Sequence, residues 1–338
     1  MKKLYIYLLI IIFPVVVTAQ NSRYAASFME LGVGARALAM GSAYVALSDD
    51  VTGTYWNPAG LAFLPNFQAS SMYASIFNKL ENQSYVGAAI PVFGGASISV
   101  SWTRVSIEDI PRYEFDENDP EHTAVERVFG GGTPLTAIPE SYFSSYNDAF
   151  IITFAKYKQW NLDLGWQYFE IPIDLGFGLN LKLLQQKLDD RTGSGVGLDF
   201  GFISRVGLNE IFSDIDYGDL AFGLNVQDIT QTQITWDTDS KHKDRVPFNI
   251  KYGLSYMQPV TSLKSSITLV FDLDTRYNGS GHFGTEFLYN SIMAVRMGMN
   301  SGYFTAGAGL YLWKFRFDYA YQGHDLGNTH RISILVGL

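Results

Sequence analysis

The chain has no cysteine in its 338 residues, so it has no disulfide framework, no thiolate metal site and no cysteine for a lipid anchor. After its first twenty positions it also lacks any run of about twenty apolar residues, which argues against an α-helical membrane protein. Charge is sparse and unbalanced: charged residues make up 17% of the chain, 33 Asp and Glu outnumber 24 Lys and Arg, and the formal net charge is −9. A nucleic-acid partner needs a clustered basic footprint, so that class is set aside. The five histidines are His122, His242, His282, His324 and His330, and none stands in a serine or cysteine constellation. The nearest thing to a dyad, His330 with Ser333, has no geometry that a sequence can supply. No enzyme activity and no cofactor are expected.

What the chain has in quantity is aromatic residues, 15% of the total with 24 Phe and 21 Tyr, and a period of two. Ile267, Leu269, Phe271 and Leu273 form one face, leaving Ser266, Thr268, Asp272 and Asp274 on the other, with Val270 the apolar exception. Phe315, Phe317, Tyr319 and Tyr321 oppose Lys314, Arg316, Asp318 and Gln322. Ile332, Ile334, Val336 and Leu338 likewise oppose Arg331, Ser333 and Gly337. An apolar face this uniform reads as the lipid side of a closed barrel, because backbone groups inside hydrocarbon must all be paired.

Segments bounded by Gly, Asn, Asp, Ser or Pro give about fourteen strands, beginning near Phe67, Asn82, Ala96, Asn147, Pro172, Val196, Gly218, Val246, Lys264, His282, Ile292, Phe304, Lys314 and His330. An even count returns both ends to the periplasm. Long external loops are then expected from Val105 to Tyr146 and from Ile229 to Arg245, and tight periplasmic turns at Phe93-Gly94-Gly95, Tyr289-Asn290-Ser291 and Leu312-Trp313. Lys158 to Ile171 and Gly207 to Tyr217 are too long for such turns and mark a misplaced edge or a missing strand pair. The lumenal face is rich in small residues, including Gly176, Gly178, Gly197, Gly201, Ala221, Gly223, Gly253, Gly284 and Gly298, which leaves room for a channel, a plug or a ligand. Lumenal charges suggest a register-fixing ladder: Asp272, Asp274 and Glu286 near Arg296, and Arg316 and Asp318 near Arg331. Trp102, Trp166, Trp236 and Trp313 read as girdle or loop aromatics.

The N-terminus reads as a leader over residues 1–19, with Lys2 and Lys3, an apolar stretch from Leu4 to Val17, and cleavage after Ala19. Ser27 to Leu64 does not alternate. It is Gly- and Ala-rich and ends in Trp56-Asn57-Pro58-Ala59-Gly60, where Pro58 pushes Asn57 toward an extended or turn conformation that its own side chain can close. Trp56 is read as packing this segment against the wall.

GARALAMGSAYVALSDDVTGTYWNPAGL, with Gly34, Ala35, Arg36, Met40, Gly41, Asp49, Asp50, Trp56, Asn57, Pro58 and Gly60, resembles the N-terminal signature of the PorV/PorQ family, a group similar to FadL-type barrels. FDYAYQGHDLGNTHRISILVGL, from Phe317 to Leu338, resembles its closing hairpin. Ser42 stands where many members carry a second glycine. The resemblance implies an all-β protein: a transmembrane antiparallel barrel of about fourteen strands at residues 67–338, with residues 20–66 folded into the lumen as a hatch. It further implies an outer-membrane location, contact with outer-membrane lipid, and a part in type IX secretion through secretion-system proteins or exported cargo held at the external loops. The rival is a FadL-like transporter with a hydrophobic ligand in the lumen. A contiguous apolar pocket beneath the external loops would favour transport, and a packed hatch with an apolar external groove would favour partner binding.

The expected external loop after Val105 is strongly acidic. Asp116, Glu117, Asp119 and Glu121 offer oxygen ligands of the kind Ca²⁺ takes, but Pro120 interrupts them and no spaced loop motif appears, so the loop is read as a solvated surface.

Overall fold

The computed structural model describes residues 25–112, 139, 141–163, 165, 170–212, 217–276 and 280–338. The leader, Asp116, Glu117, Asp119, Glu121, His122 and Trp166 lie outside the described residues.

Sixteen strands form one antiparallel sheet: β1 (Gln68–Ile76), β2 (Glu81–Val92), β3 (Ala96–Arg112), β4 (Ser141–Asp163), β5 (Glu170–Leu188), β6 (Arg191–Gly207), β7 (Asp219–Gln227), β8 (Gln233–Trp236), β9 (Lys243–Arg245), β10 (Asn249–Val260), β11 (Ser265–Asp274), β12 (Ser280–Tyr289), β13 (Met293–Asn300), β14 (Tyr303–Leu312), β15 (Phe315–Gln322) and β16 (Thr329–Gly337). Fourteen of them close into a barrel, and β8 with β9 is a small hairpin attached to β6. Closure is made by β1 on β16, in register from Gln68↔Gly337 to Ser75↔His330. With every strand paired on both sides the barrel has no edge, the condition for crossing hydrocarbon with strands. No helix among the described residues is long and apolar enough to cross a membrane.

The two-residue alternation sets the faces. Ile267, Leu269, Phe271, Phe315, Phe317 and Tyr319 are exposed on the outer surface, while Thr268, Asp272, Arg316 and Asp318 are buried inside. Val270, the exception to the pattern, faces inward and belongs to an apolar core shared with the N-terminal segment. Trp313 stands 88% exposed at the β14–β15 turn and Trp102 points outward, whereas Trp236 is partly buried in the β8–β9 hairpin.

The barrel is lopsided. β3, β4, β5 and β6 run 17, 23, 19 and 17 residues, against 8 in β13 and 8 in β15, when about 9–11 suffice to span a bilayer. The expected edges move accordingly. The span from Lys158 to Ile171 is the misplaced edge, since β4 runs on to Asp163 and β5 begins at Glu170, and these two residues pair. Gly207 to Tyr217 holds the short helix α3 (Leu208–Phe212). The loops drawn from Val105 and from Ile229 are shortened by the ends of β3 and β4 and by the β8–β9 hairpin. Past the membrane the outward residues turn polar, as at Lys156 and Lys158, so the hydrophobic signal that marks a strand fades while the hydrogen-bond ladder does not.

Candidate functional site

Residues 25–64 fill the lumen. A 3-10 turn (Ser27–Glu30) lies toward the external mouth, where Ala25, Ala26 and Phe28 pack with Val105, Ala149, Leu184, Ile234 and Val246. The chain then descends through Gly32 and Gly34, both at positive φ, to helix α1 (Ala35–Ala39), all five residues of which are buried. Helix α2 (Gly53–Trp56) and a 3-10 helix (Pro58–Phe63) complete the plug on the periplasmic side. Asn57 is extended, at φ −160° and ψ 108°, and its Oδ1 accepts from Ala59 N at 3.1 Å, the closure that the Asn-Pro pair suggests. Asn57 Nδ2 also donates to Val45 O (2.8 Å), Phe202 O (3.2 Å) and Leu224 O (3.3 Å), tying the plug turn to two wall strands.

The small lumenal residues make room for this plug and do not leave an open channel. A Cβ on Gly178 would collide with Pro58 and Ala59, one on Gly223 with Val45 and Ala46, and one on Gly284 or Gly298 with Met40. Gly60 is pressed against Ser48 in the same way. Trp56 is buried as anticipated, with Nε1 donating to Val33 O at 2.9 Å and its ring edge-on to Tyr44 and Tyr55. Gly41 N donates to Thr305 Oγ1 at 3.0 Å. Ser42 sits at φ 64°, a left-handed conformation that suits glycine better than serine.

The charges organise differently from the ladder read in the sequence. Arg36 meets Glu286 (Nη2–Oε1 2.8 Å), Glu286 meets Arg296 (2.5 Å), Arg296 meets Asp318 (2.8 Å), Asp318 meets Arg316 (2.7 Å) and Arg316 meets Asp50 (2.5 Å). Asp50 lies 3.9 Å from Arg36, closing a ring of six alternating charges, two from the plug and four from the wall. Asp49 adds a fourth carboxylate, 2.5 Å from Arg36. Burial pushes the Asp50 carboxyl up, but the Arg316 and Arg36 guanidiniums and the Thr52 hydrogen bond pull it down further, to about 2. The Glu286–Arg296 pair is as expected. Asp272 instead accepts from the backbone of Tyr44 and Val45, Asp274 pairs with Lys251, and Arg331 binds Gln322 and Leu31 O, with no carboxylate partner among the described residues. A ladder within the wall is thus replaced by a lock between wall and plug. Arg36 and Asp50 lie in the plug motif itself, and their match to an excess of paired charges on the lumenal face was the available signal.

Above the plug lies a cavity of about 420 Å³, lined by Met29, Tyr55 and Trp56 from the plug and by charged wall residues. Lys182 is held by Asp199 and Asp228, both at 2.7 Å, Arg276 by Glu30 at 3.0 Å, and Lys251 by Asp274 at 3.1 Å. The vestibule beneath the external loops is therefore charged, not the contiguous apolar pocket that lumenal passage of a hydrocarbon would need. A second hollow of about 620 Å³ lies on the outer wall, lined by Phe150, Leu183, Val196, Gly195 and Gln233 among others. It marks a break in pairing: β6 ladders with β7 from Phe200 onward and with β8 only at Gly193 and Ser194. Between them the chain dips inward, burying Asp228 and Thr232.

His330 and Ser333 face opposite sides of β16, His330 exposed beside Tyr319 and Ser333 accepting from Ala35 N, so they form no dyad. Among the described residues no group of three or more His, Asp or Glu is placed to hold a metal ion.

Fold and lumen define a class, the transmembrane β-barrel closed by its own N-terminal segment. No family model and no curated protein matches the chain, so the PorV/PorQ resemblance rests on its terminal motifs. Among solved structures the chain is similar to the Ralstonia pickettii toluene transporter TbuX, with TM-score 0.45, 11% identity, and coverage of 90% of this chain and 97% of that one. It is also similar to the toluene transporter TodX of P. putida (0.45, 9%, 91% and 99%). A Pseudomonas aeruginosa FadL homologue gives 0.41, 8%, 88% and 96%.

Proposed function

We propose that the protein is an outer-membrane transporter for small hydrophobic molecules, with the lumenal plug as its gate. The observation that carries this reading is the apolar hollow on the membrane face, at the one stretch where β6 lacks a laddered neighbour on one side. A molecule dissolved in the outer leaflet meets the wall there at its least continuous point, separated from the lumen by Gln233 and the inward turn before it. The test is uptake of labelled toluene, at limiting concentration, by cells with intact outer membranes. Cells carrying the barrel should take it up several-fold faster than cells lacking it, and equal rates would refute the reading.

A second reading, partner binding in type IX secretion as in the PorV/PorQ family, is favoured by one feature. The plug is locked by a closed ring of ion pairs beneath a one-sided external wall formed by β3 to β6, an arrangement suited to docking. Its test is affinity purification of the tagged barrel from detergent-extracted outer membranes. Recovery of translocon subunits or of exported proteins sharing a C-terminal domain would support it, and recovery of the barrel alone would count against it.

A further inference from the structure

We propose that the turn from Asp228 to Thr232 is a second gate, standing between the hollow on the membrane face and the vestibule above the plug, and that Lys182 is the positioning residue that holds it shut. This rests on the transporter reading and adds to it the point in the wall that must yield.

The two cavities lie on either side of this turn. Gly195 and Gln233 line the outer hollow, whereas Lys182, Asp199 and Asp228 line the vestibule. The turn follows β7 and precedes β8, so it belongs to neither ladder on β6. It bends inward through two non-glycine residues in left-handed backbone, Asp228 at φ 55° and Gln231 at φ 51°, a conformation that persists only where the surroundings enforce it. β6 leaves the space for it. A Cβ on Gly195 would stand 2.6 Å from Gln233 O, and one on Gly197 would stand 2.4 Å from Thr232 Oγ1 and 3.0 Å from Lys182 Cε.

A backbone bond ties the turn to β6, from Ile229 N to Leu198 O at 3.0 Å. The side-chain ties converge on Asp228. Its N donates to Asp199 Oδ1 at 2.9 Å, and its Oδ1 accepts from Thr232 Oγ1 at 2.8 Å and from Lys182 Nζ at 2.7 Å. Lys182 Nζ also lies 2.7 Å from Asp199 Oδ1, and all four of these residues are buried. One ammonium thus serves two buried carboxylates, Asp199 on the wall and Asp228 on the turn. Without it the carboxylates repel at short range in a poorly solvated site, with Arg276, 3.8 Å from Asp228 Oδ2, the cation left beside them among the described residues. The turn is the part that gives way, because β6 is laddered to β5 along its length. A molecule passing from the hollow then meets Met29, Tyr55, Trp56 and Ile151, the apolar part of the vestibule lining.

The experiment is uptake of labelled toluene and, separately, of labelled naphthalene by cells with intact outer membranes. Lys182→Met should raise the ratio of naphthalene to toluene uptake several-fold over the parent barrel, because a displaced turn widens the passage. Combining Lys182→Met with Asp228→Asn removes the repulsion along with the cation and should return the ratio to the parent value, a recovery that loss of stability alone would not give. Thr232→Val, which keeps every charge, should move the ratio in the direction of Lys182→Met but less far. Each variant is checked for the heat-modifiable gel mobility of a folded barrel. If toluene uptake depends on the barrel while the ratio stays at the parent value in every folded single variant, or the double variant shows no recovery, the inference falls alone. If barrel-dependent uptake is missing for both solutes in the parent and the variants alike, the transporter reading falls with it.

Discussion

Arg36 of the plug and Glu286 of the wall, 250 positions apart, meet through two parallel hydrogen bonds, Nε to Oε2 at 2.9 Å and Nη2 to Oε1 at 2.8 Å. Both are buried, and each has further partners in the ring of alternating charges. Such a contact is directional, so it holds α1 at one depth and one rotation in the barrel.

Replacing Arg36 by Ala removes one of the two cations on Glu286 and the one on Asp49. The loss approaches, but does not reach, the cost of about 3–5 kcal/mol for a buried charge left wholly unpaired, because Arg296 still holds Glu286. The wall ladder does not involve Arg36, so the barrel should remain folded while the plug loosens. Single-channel conductance in planar bilayers should rise above that of the parent protein. Arg36→Lys should recover only part of the seal, since an ammonium cannot reproduce both contacts to Glu286. Unchanged conductance in Arg36→Ala would mean that packing alone holds the plug.

The wall glycines make a steric prediction. A Cβ on Gly284 would lie 2.7 Å from Met40 C and Cβ, whereas one on Gly281, three residues earlier on β12, meets nothing closer than Leu273 Cδ2 at 3.8 Å. Gly284→Val should displace the plug at a cost of about 1–3 kcal/mol, read as faster proteolysis between residues 25 and 64. Gly281→Ala should leave the cleavage rate at the parent level.

Acid should open the plug only at low pH. The folded Asp50 value of about 2 lies below its ordinary 3.8, so its contribution is complete above the ordinary value and is lost as pH falls through the folded one. The contribution is on the order of 2 kcal/mol. Conductance should therefore climb below about pH 4, and Asp50→Asn should abolish that step. A transition near neutral pH would assign the gate to another group.

Two leucines of equal exposure test the membrane belt. Leu179 on β5 and Leu263 in the β10–β11 turn are each 54% exposed, but Leu179 lies between Phe177 and Leu181 on the outer face. Leu179→Arg should cost about 2–4 kcal/mol in urea-driven unfolding from lipid vesicles, while Leu263→Arg should stay within about 0.5 kcal/mol. Equal effects would mean that the apolar face does not contact lipid.

The sequence by itself determined the number of barrel strands, though not the β8–β9 hairpin, and the direction of nearly every wall side chain. In a strand that direction is a local property: the period of two sends Phe271 out and Asp272 in wherever the strand pairs. The Asn57-Pro58 turn was legible for the same reason, since Pro58 restricts its neighbour regardless of context. Strand ends were less so, because β4 and β5 extend beyond the membrane where outward residues turn polar and the alternation loses contrast.

Tertiary structure alone decided what the inward residues meet. Pairing of β12 through β15 sets Glu286, Arg296, Asp318 and Arg316, from three of those strands, side by side, and the depth of the plug decides that Arg36 and Asp50 complete their ring. Asp272 and Asp274 sit one inward step apart on β11, yet one receives plug backbone and the other Lys251. Parity fixes the face a residue occupies, but its partner depends on register and on chain hundreds of positions away, which no local pattern records.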